Sequence, residues 1–584
     1  MKWKLLLLLL LLLPVAYAQS GDMKLLAVSE DGKGNFRGSI ANLNLDIKEG
    51  TGKIFIDTYP FSKIDTQIST RFAKEMACDF LDINCNNMDF FYTISAESYI
   101  IGGPSGSSAI AALTVMTLDD VSFDKNIVIS GTINSGGFIG PVGGLKEKIK
   151  AAADINLTKV LIPIGTRKIE EKKEVDVINI NDTDSNITNS TIVEIDLIEY
   201  GKNLSIEIKE VASLNEVIYE FSGKRYQEDK IIEVDESYKD TMKYLANTLC
   251  NKSSELRNKI MDYSPIKIAN IDSNLTKMEI ANNLTTKGYN AIRNKSHYSG
   301  ASYCFGANVK FREILVELEN NSKLDALSSE IEILNSEIDK KGYKTMTDLQ
   351  AYMVVKERIS EAKISLTEAY KKQEENKSIT IEYAYAIERL YSAESWSKFL
   401  DSKGKEFEFS KEELEDSCIR KISEAEERFQ YLDYLIPNLD HLRKELNKAK
   451  ADKEMKNYEL CLFRAAKAKA QINSVLNYVG TLEIEELIRN KLEITEQIIA
   501  KKVDVFPIVG YSYFEYANTL IEEDPYSAML YGEYALELSD LEIYFKQNTK
   551  EISLPIISPE NILYLFSGII IGVILMGFRK NKAQ

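Results

Sequence analysis

The chain has 584 residues, a formal net charge of −17 and 44% hydrophobic residues. That length calls for two or more domains, and the apolar content supplies a sizeable core. The acidic balance, which no basic block offsets, excludes nucleic acid as the main partner.

In chain order, residues 1–18 read as a secretory signal. Lys2 and Lys4 form the positive start, Leu5 to Val15 a short apolar run, and Ala16-Tyr17-Ala18 an A-x-A cleavage site. The run falls short of the roughly 20 residues of a membrane span. The mature chain is expected to begin at Gln19, outside the cytoplasm. From Met23 to about Ser95 strands mix with one helix. Gly52 to Pro60 and Met88 to Ser95 read as strands, and between them Ser62 to Asp82 repeats Ile64, Ile68, Phe72, Met76 and Phe80 at helical spacing.

The stretch from Gly102 to Ala153 carries the chemistry. Gly102-Gly103-Pro104-Ser105-Gly106-Ser107-Ser108 is a turn that delivers a serine to the head of an apolar run, Ala109 to Leu113, read as a buried helix. A developing oxyanion there would meet unpaired N–H groups and the positive end of the helix dipole. Gly143-Gly144 opens a second helix, Leu145 to Ala153, that carries lysines. A lysine desolvated enough to be neutral can serve as the base that a serine nucleophile needs. Helical periodicity leaves Lys146 and Lys148 equivalent, flanking the stripe of Leu145, Ile149 and Ala152. The only histidines, His297 and His441, lie far downstream, so a Ser-His arrangement has little support.

Gly103-Pro104-Ser105-Gly106-Ser107 resembles the GPSAG motif of the Lon protease family. Ile129-Ser130-Gly131-Thr132, then Gly140-Pro141-Val142-Gly143-Gly144-Leu145-Lys146-Glu147-Lys148, resembles that family's MTGE…LPVGGxKEK block, and Val160 to Pro163 resembles the strand that follows. The resemblance implies Ser105 as nucleophile, Lys148 as general base, Ser130 as the hydroxyl that orients the lysine, and Gly103 and Gly106 as turn and oxyanion-hole positions. No C-x-x-C or nearby His supports a metal site, and no cofactor is expected. Two positions depart from the family pattern. The acidic residue that often precedes GPS is Gly102 here, and the glutamate of MTGE is Thr132. The resemblance covers residues 23–222 and closes on Val211 to Phe221, similar to the family's last helix.

An insertion at 172–200, dense in Asn, Asp and Thr, interrupts that stretch. Asn181, Asn186 and Asn189 open N-x-[ST] sequons in it, as do Asn156, Asn203, Asn251, Asn274, Asn283, Asn294, Asn320 and Asn376 elsewhere. In an exported chain this points to a glycoprotein. No GxxxxGK[ST] occurs, so no nucleotide partner is expected. Beyond Glu233 the texture turns to helix formers, with helical spacing at Phe311, Leu315 and Leu318 and at Leu324, Leu327, Ile331 and Leu334. Residues 233–553 are expected to form about ten helices, a stalk or bundle, with Pro437 and Pro525 as breaks. Tyr511 to Leu541 has the look of a tetratricopeptide unit without a 34-residue period.

Six cysteines in an exported chain favour disulfides, and sequence neighbours would pair Cys78–Cys85, Cys250–Cys304 and Cys418–Cys461. Ile562 to Phe578 is uncharged and apolar, and Arg579, Lys580 and Lys582 follow it at once. This is expected to be one transmembrane helix, with residues 579–584 as a cytoplasmic tail. The expected fold class is thus an α+β Lon-like proteolytic domain, a large all-α region and a C-terminal transmembrane helix. The expected function is an ATP-independent serine endopeptidase for unfolded polypeptides on the outer face of the cell membrane. As in the family it resembles, a homo-oligomeric ring is implied. The alternative is a catalytically silent surface scaffold or receptor.

Overall fold

Apolar and polar residues alternating at period two build the first layer. Strands β1 (Gln19–Glu30) and β2 (Phe36–Glu49) pair antiparallel, from Gln19 opposite Ile47 to Glu30 opposite Phe36. On β2, Ala41, Leu43, Leu45 and Ile47 are buried and the residues between them face out. After β3 (Ile54–Tyr59), helix α1 (Ile64–Phe80) buries Phe72 and Met76, and β4 (Met88–Ala96) returns between β2 and β3. The sheet order is β1-β2-β4-β3, with β3 parallel to β4. Helix α2 (Ser107–Leu118) has every residue from Ser107 to Thr117 buried, so it is a central helix packed on all sides.

A second, parallel sheet follows. Its first strand is β5 (Ile127–Ile129), and the small hairpin of β6 (Thr132–Ile133) and β7 (Ile139–Gly140) leads from it to α3 (Leu145–Asp154). Strand β8 (Lys159–Pro163) lies beside β5. A ribbon of β9 (Lys168–Val175) and β10 (Asn189–Asp196) and helix α4 (Leu197–Asn203) then lead to β11 (Glu207–Val211), which lies beside β8. Helix α5 (Leu214–Ser222), N-capped by Ser213, closes this part. The structure, a computed structural model, describes residues 19–545 except 31–35, 97–101, 176–188, 227–230, 265–271, 320–321, 401–405, 408, 437, 482–483 and 503–504. The expected signal at 1–18, the expected membrane helix at 562–578 and its tail lie outside the described residues, and so does Pro437.

Strand β1 serves two cores. Leu25 joins α1 and α2 over the first sheet, whereas Leu26 joins Leu145 and Ile149 of α3 over the second. Helix α2, which follows Ser105, and helix α3, which carries Lys148, are therefore referenced to one strand.

The helical part has twelve helices among the described residues, against about ten expected. They are α6 (Glu236–Met261), α7 (Asp272–Arg293), α8 (His297–Glu319), α9 (Leu324–Lys341), α10 (Met346–Glu374) and α11 (Thr380–Trp396). After these come α12 (Lys411–Leu435), α13 (Asp440–Glu454), α14 (Tyr458–Gly480), α15 (Ile484–Lys501), α16 (Ile508–Leu520) and α17 (Pro525–Leu538). Capping boxes start α10 (Thr345 with Asp348) and α12 (Ser410 with Glu413). Pro525 stands at the first position of α17, where its missing N–H costs nothing, so it starts that helix, and α16 has already ended at Leu520. No helix among the described residues is long and apolar enough to cross a membrane.

Three disulfides follow the sequence-neighbour pairing: Cys78–Cys85, Cys250–Cys304 and Cys418–Cys461. The α/β and helical parts pack into one body that ends at Phe545. At their junction Phe138, from the loop between β6 and β7, is buried among Leu487, Leu492 and Met529 of α15 and α17.

Candidate active site

Ser105 sits in a 3-10 turn, Pro104–Gly106, that runs into α2. No side chain caps α2; the Ser107 N–H donates to Pro104 O and the Ser108 N–H to Gly131 O at 3.3 Å, and the positive end of the helix dipole lies at the serine. Gly103 holds φ of +93°, a conformation that only glycine adopts without strain, although a Cβ there would meet open space. Backbone geometry, then, fixes this residue. Its N–H donates to Asp65 Oδ2 at 3.0 Å. A carboxylate from the first turn of α1 thus holds the GPS turn, in a chain where Gly102 replaces the acidic residue expected before the motif.

The turn is stitched to the loop after β5. Gly131 N–H donates to Ser105 O at 3.0 Å, and Ser108 Oγ donates to Gly131 O at 2.7 Å. Ser107 Oγ donates to Pro104 O at 2.7 Å and accepts the Ile133 N–H at 2.9 Å. These two hydroxyls, read from sequence only as part of a Gly/Ser turn, clamp the Ser105 loop to the segment that carries Ser130. Ser130 itself is fully buried, and its Oγ has no hydrogen-bond partner.

Lys148 lies in the second turn of α3, which starts from the left-handed Gly144 (φ +68°). Its neighbours on the stripe, Leu145 and Ile149, are anchored on β1, β5 and β8 through Leu26, Val128 and Val160. The side chain of Lys148 is buried, and burial pushes its pKa down to about 7, with the charge of Glu147 acting the other way. Lys146 differs. Its ammonium reaches the surface and pairs with Glu171 at 2.6 Å. The two lysines that periodicity leaves equivalent therefore face different solvents.

The structure joins Ser105 to the Ser130 loop through backbone, and both to α3 through β1. It does not join the three candidate side-chain atoms. Among the described residues no hydrogen bond connects Ser105 Oγ, Ser130 Oγ and Lys148 Nζ. Catalytic contacts often tighten only when substrate binds. His297 and His441 stand in α8 and α13 of the helical part, and no cluster of His, Cys, Asp or Glu among the described residues could hold a metal.

A cleft of about 580 Å³ opens beside the start of α3, lined by Gly143, Gly144 and Glu147, by Ile169 of β9, and by Tyr431 and Leu435 of α12.

Residues 83–190, which include Ser105, Ser130 and Lys148, match the model of the Lon protease (S16) C-terminal proteolytic domain. Among curated proteins, the archaeal Lon protease of Methanothermobacter thermautotrophicus is 35% identical over 77 residues, 13% of this chain and 12% of that protein. The Lon protease of Trichlorobacter lovleyi is 34% identical over 88 residues, 14% of this chain and 11% of the relative. The archaeal Lon protease of Methanocaldococcus jannaschii is 28% identical over 90 residues, 15% and 14% respectively. The region around the candidate dyad is thus similar to the Lon proteolytic domain, and the chain spans only 11–14% of the length of these relatives. The matched stretch is narrower than the 23–222 span inferred from the motifs.

Proposed function

We propose that this chain is a serine endopeptidase with a Ser105–Lys148 dyad. The observation that carries the reading is the buried Lys148, drawn down to a pKa of about 7, in a region similar to the Lon proteolytic domain. A lysine so lowered is partly neutral near pH 7 and able to accept a proton.

In the reaction, Lys148 Nζ takes the Ser105 Oγ proton as Oγ bonds to the substrate carbonyl carbon. The oxyanion is met by the positive end of the α2 dipole and the turn from Gly103 to Gly106. Lys148 returns the proton to the departing amine and leaves an acyl-Ser105, which water hydrolyses with the lysine again as base. Ser130, with its free Oγ, is the hydroxyl available to orient the ammonium as it forms.

The substrates we assign are unfolded or flexible polypeptides, cut without nucleotide, because the sequence has no phosphate-binding GxxxxGK[ST] motif. Export by residues 1–18, anchoring by 562–578, some glycosylation and a homo-oligomeric ring complete the proposal. The purified chain should cleave an unstructured polypeptide without ATP and spare a stably folded domain. ATP-stimulated degradation of the folded domain would refute nucleotide independence. The unpartnered Ser130 Oγ is the one observation that favours the second reading, a silent scaffold. Turnover lost in Ser105→Ala separates the two.

A further inference from the structure

One helix of the helical part touches the loops on both sides of the candidate dyad. Arg428 Nη2, in α12, donates to Ile133 O at 2.7 Å, and the arginine is 2% exposed. One turn further along the same face, Tyr431 Oη accepts the Gly143 N–H at 2.7 Å. Ile133 is the residue whose N–H is held by Ser107 Oγ, on the segment that begins with Ser130. Gly143 leads into Gly144, the left-handed residue from which α3 and Lys148 start. One helix face therefore grips the carbonyl that follows Ser130 and the amide that precedes Lys148.

The grip is itself anchored. Cys418 of α12 is bonded to Cys461 of α14. Lys421, also on α12, pairs with Glu537 at 2.9 Å and Lys469 with Glu424 at 2.8 Å, all four side chains buried. Ser135 Oγ, on the loop after β6, donates to Glu537 Oε2 at 2.8 Å. Burial would raise the Glu537 carboxyl, but Lys421 and Lys469 hold it down at about 2, so the charges stay on and the network stays closed. Removing one member would strand buried charge, which resists any drift of α12.

Resting on the peptidase reading, we infer that Arg428 and Tyr431 are positioning residues: α12 sets the distance between the Ser130 segment and the Lys148 helix. A base misplaced by about 1 Å costs on the order of 100-fold in rate, so a rigid cross-brace at this point controls turnover.

The test uses the purified full chain and the variants Tyr431→Phe, Arg428→Ala and Arg428→Lys. The readings are kcat and KM on an unstructured polypeptide, the rate at which an organophosphonate labels Ser105, and thermal stability. Tyr431→Phe removes one oxygen and leaves the packing. It should lower kcat and labelling about tenfold at unchanged KM, with the melting temperature nearly that of wild type. Arg428→Ala should lose more, and Arg428→Lys should recover part of it. Wild-type kcat and labelling in Tyr431→Phe would overturn the inference while leaving the peptidase reading intact. A wild-type chain that cleaves nothing and does not label at Ser105 would overturn both.

Discussion

Helix α3 carries lysine at 146, 148 and 150, and the three meet different surroundings. Lys146 pairs with Glu171 at 2.6 Å and Lys150 with Asp154 at 3.2 Å, both at the surface, whereas Lys148 is enclosed and drawn down to about 7. A folded pKa near 7 against about 10.5 unfolded makes the wild type gain stability as pH rises from 7 to 10.5, because the unfolded chain binds the extra proton. Below pH 7 the penalty is complete, on the order of 5 kcal/mol. Lys148→Met should therefore abolish cleavage yet raise the melting temperature, with a larger gain at pH 6 than at pH 9 by calorimetry. A variant less stable than wild type at both pH values would contradict the burial argument. The same neutral lysine makes activity rise with pH through about 7, and a flat profile from pH 5 to 9 would exclude Lys148 as base. Ser130→Ala should cost less than either dyad variant, since its Oγ makes no bond in the free protein. At this scale the motif residues are legible because glycine turns and a serine at a helix head leave a linear signature. Asp65 is not. It comes from α1, and only the folded chain brings it to Gly103.

Among the elements, those with strong periodicity are found close to where the sequence puts them. The helix expected at 62–82 is Ile64–Phe80, and that expected at 145–153 is Leu145–Asp154. The β9–β10 ribbon in the insertion was illegible, since KIEEKKEV has no apolar face to alternate against and its pairing is made by backbone. Cross-links also act at this scale. Cys250–Cys304 closes a loop of 54 residues between α6 and α8, which stabilises the fold by about 4 kcal/mol in the chain-entropy picture. The Cys250→Ser, Cys304→Ser pair should therefore lower the denaturant midpoint without altering kcat, since neither cysteine touches the candidate site. A drop in kcat at unchanged stability would show a coupling that the fold does not predict. By contrast Cys418–Cys461 tethers α12 itself.

For the whole molecule, the texture of the sequence turns to helix formers near Glu233, yet this does not reveal that a buried charge network of the helical part meets the α/β part at Ser135. Lys421, Glu424, Lys469 and Glu537 read in sequence as ordinary positions on the polar faces of helices, and only tertiary packing encloses them beside Ser135. At this junction the helical part packs on the segment that follows Ser130. The most direct test of the central claim is mass spectrometry of the folded wild-type chain after reaction with an organophosphonate across pH 5 to 9. The account predicts a single adduct, on Ser105, forming faster as pH rises through about 7 and absent from Ser105→Ala. No adduct on Ser105 at any pH, together with undiminished cleavage by Ser105→Ala, would contradict it.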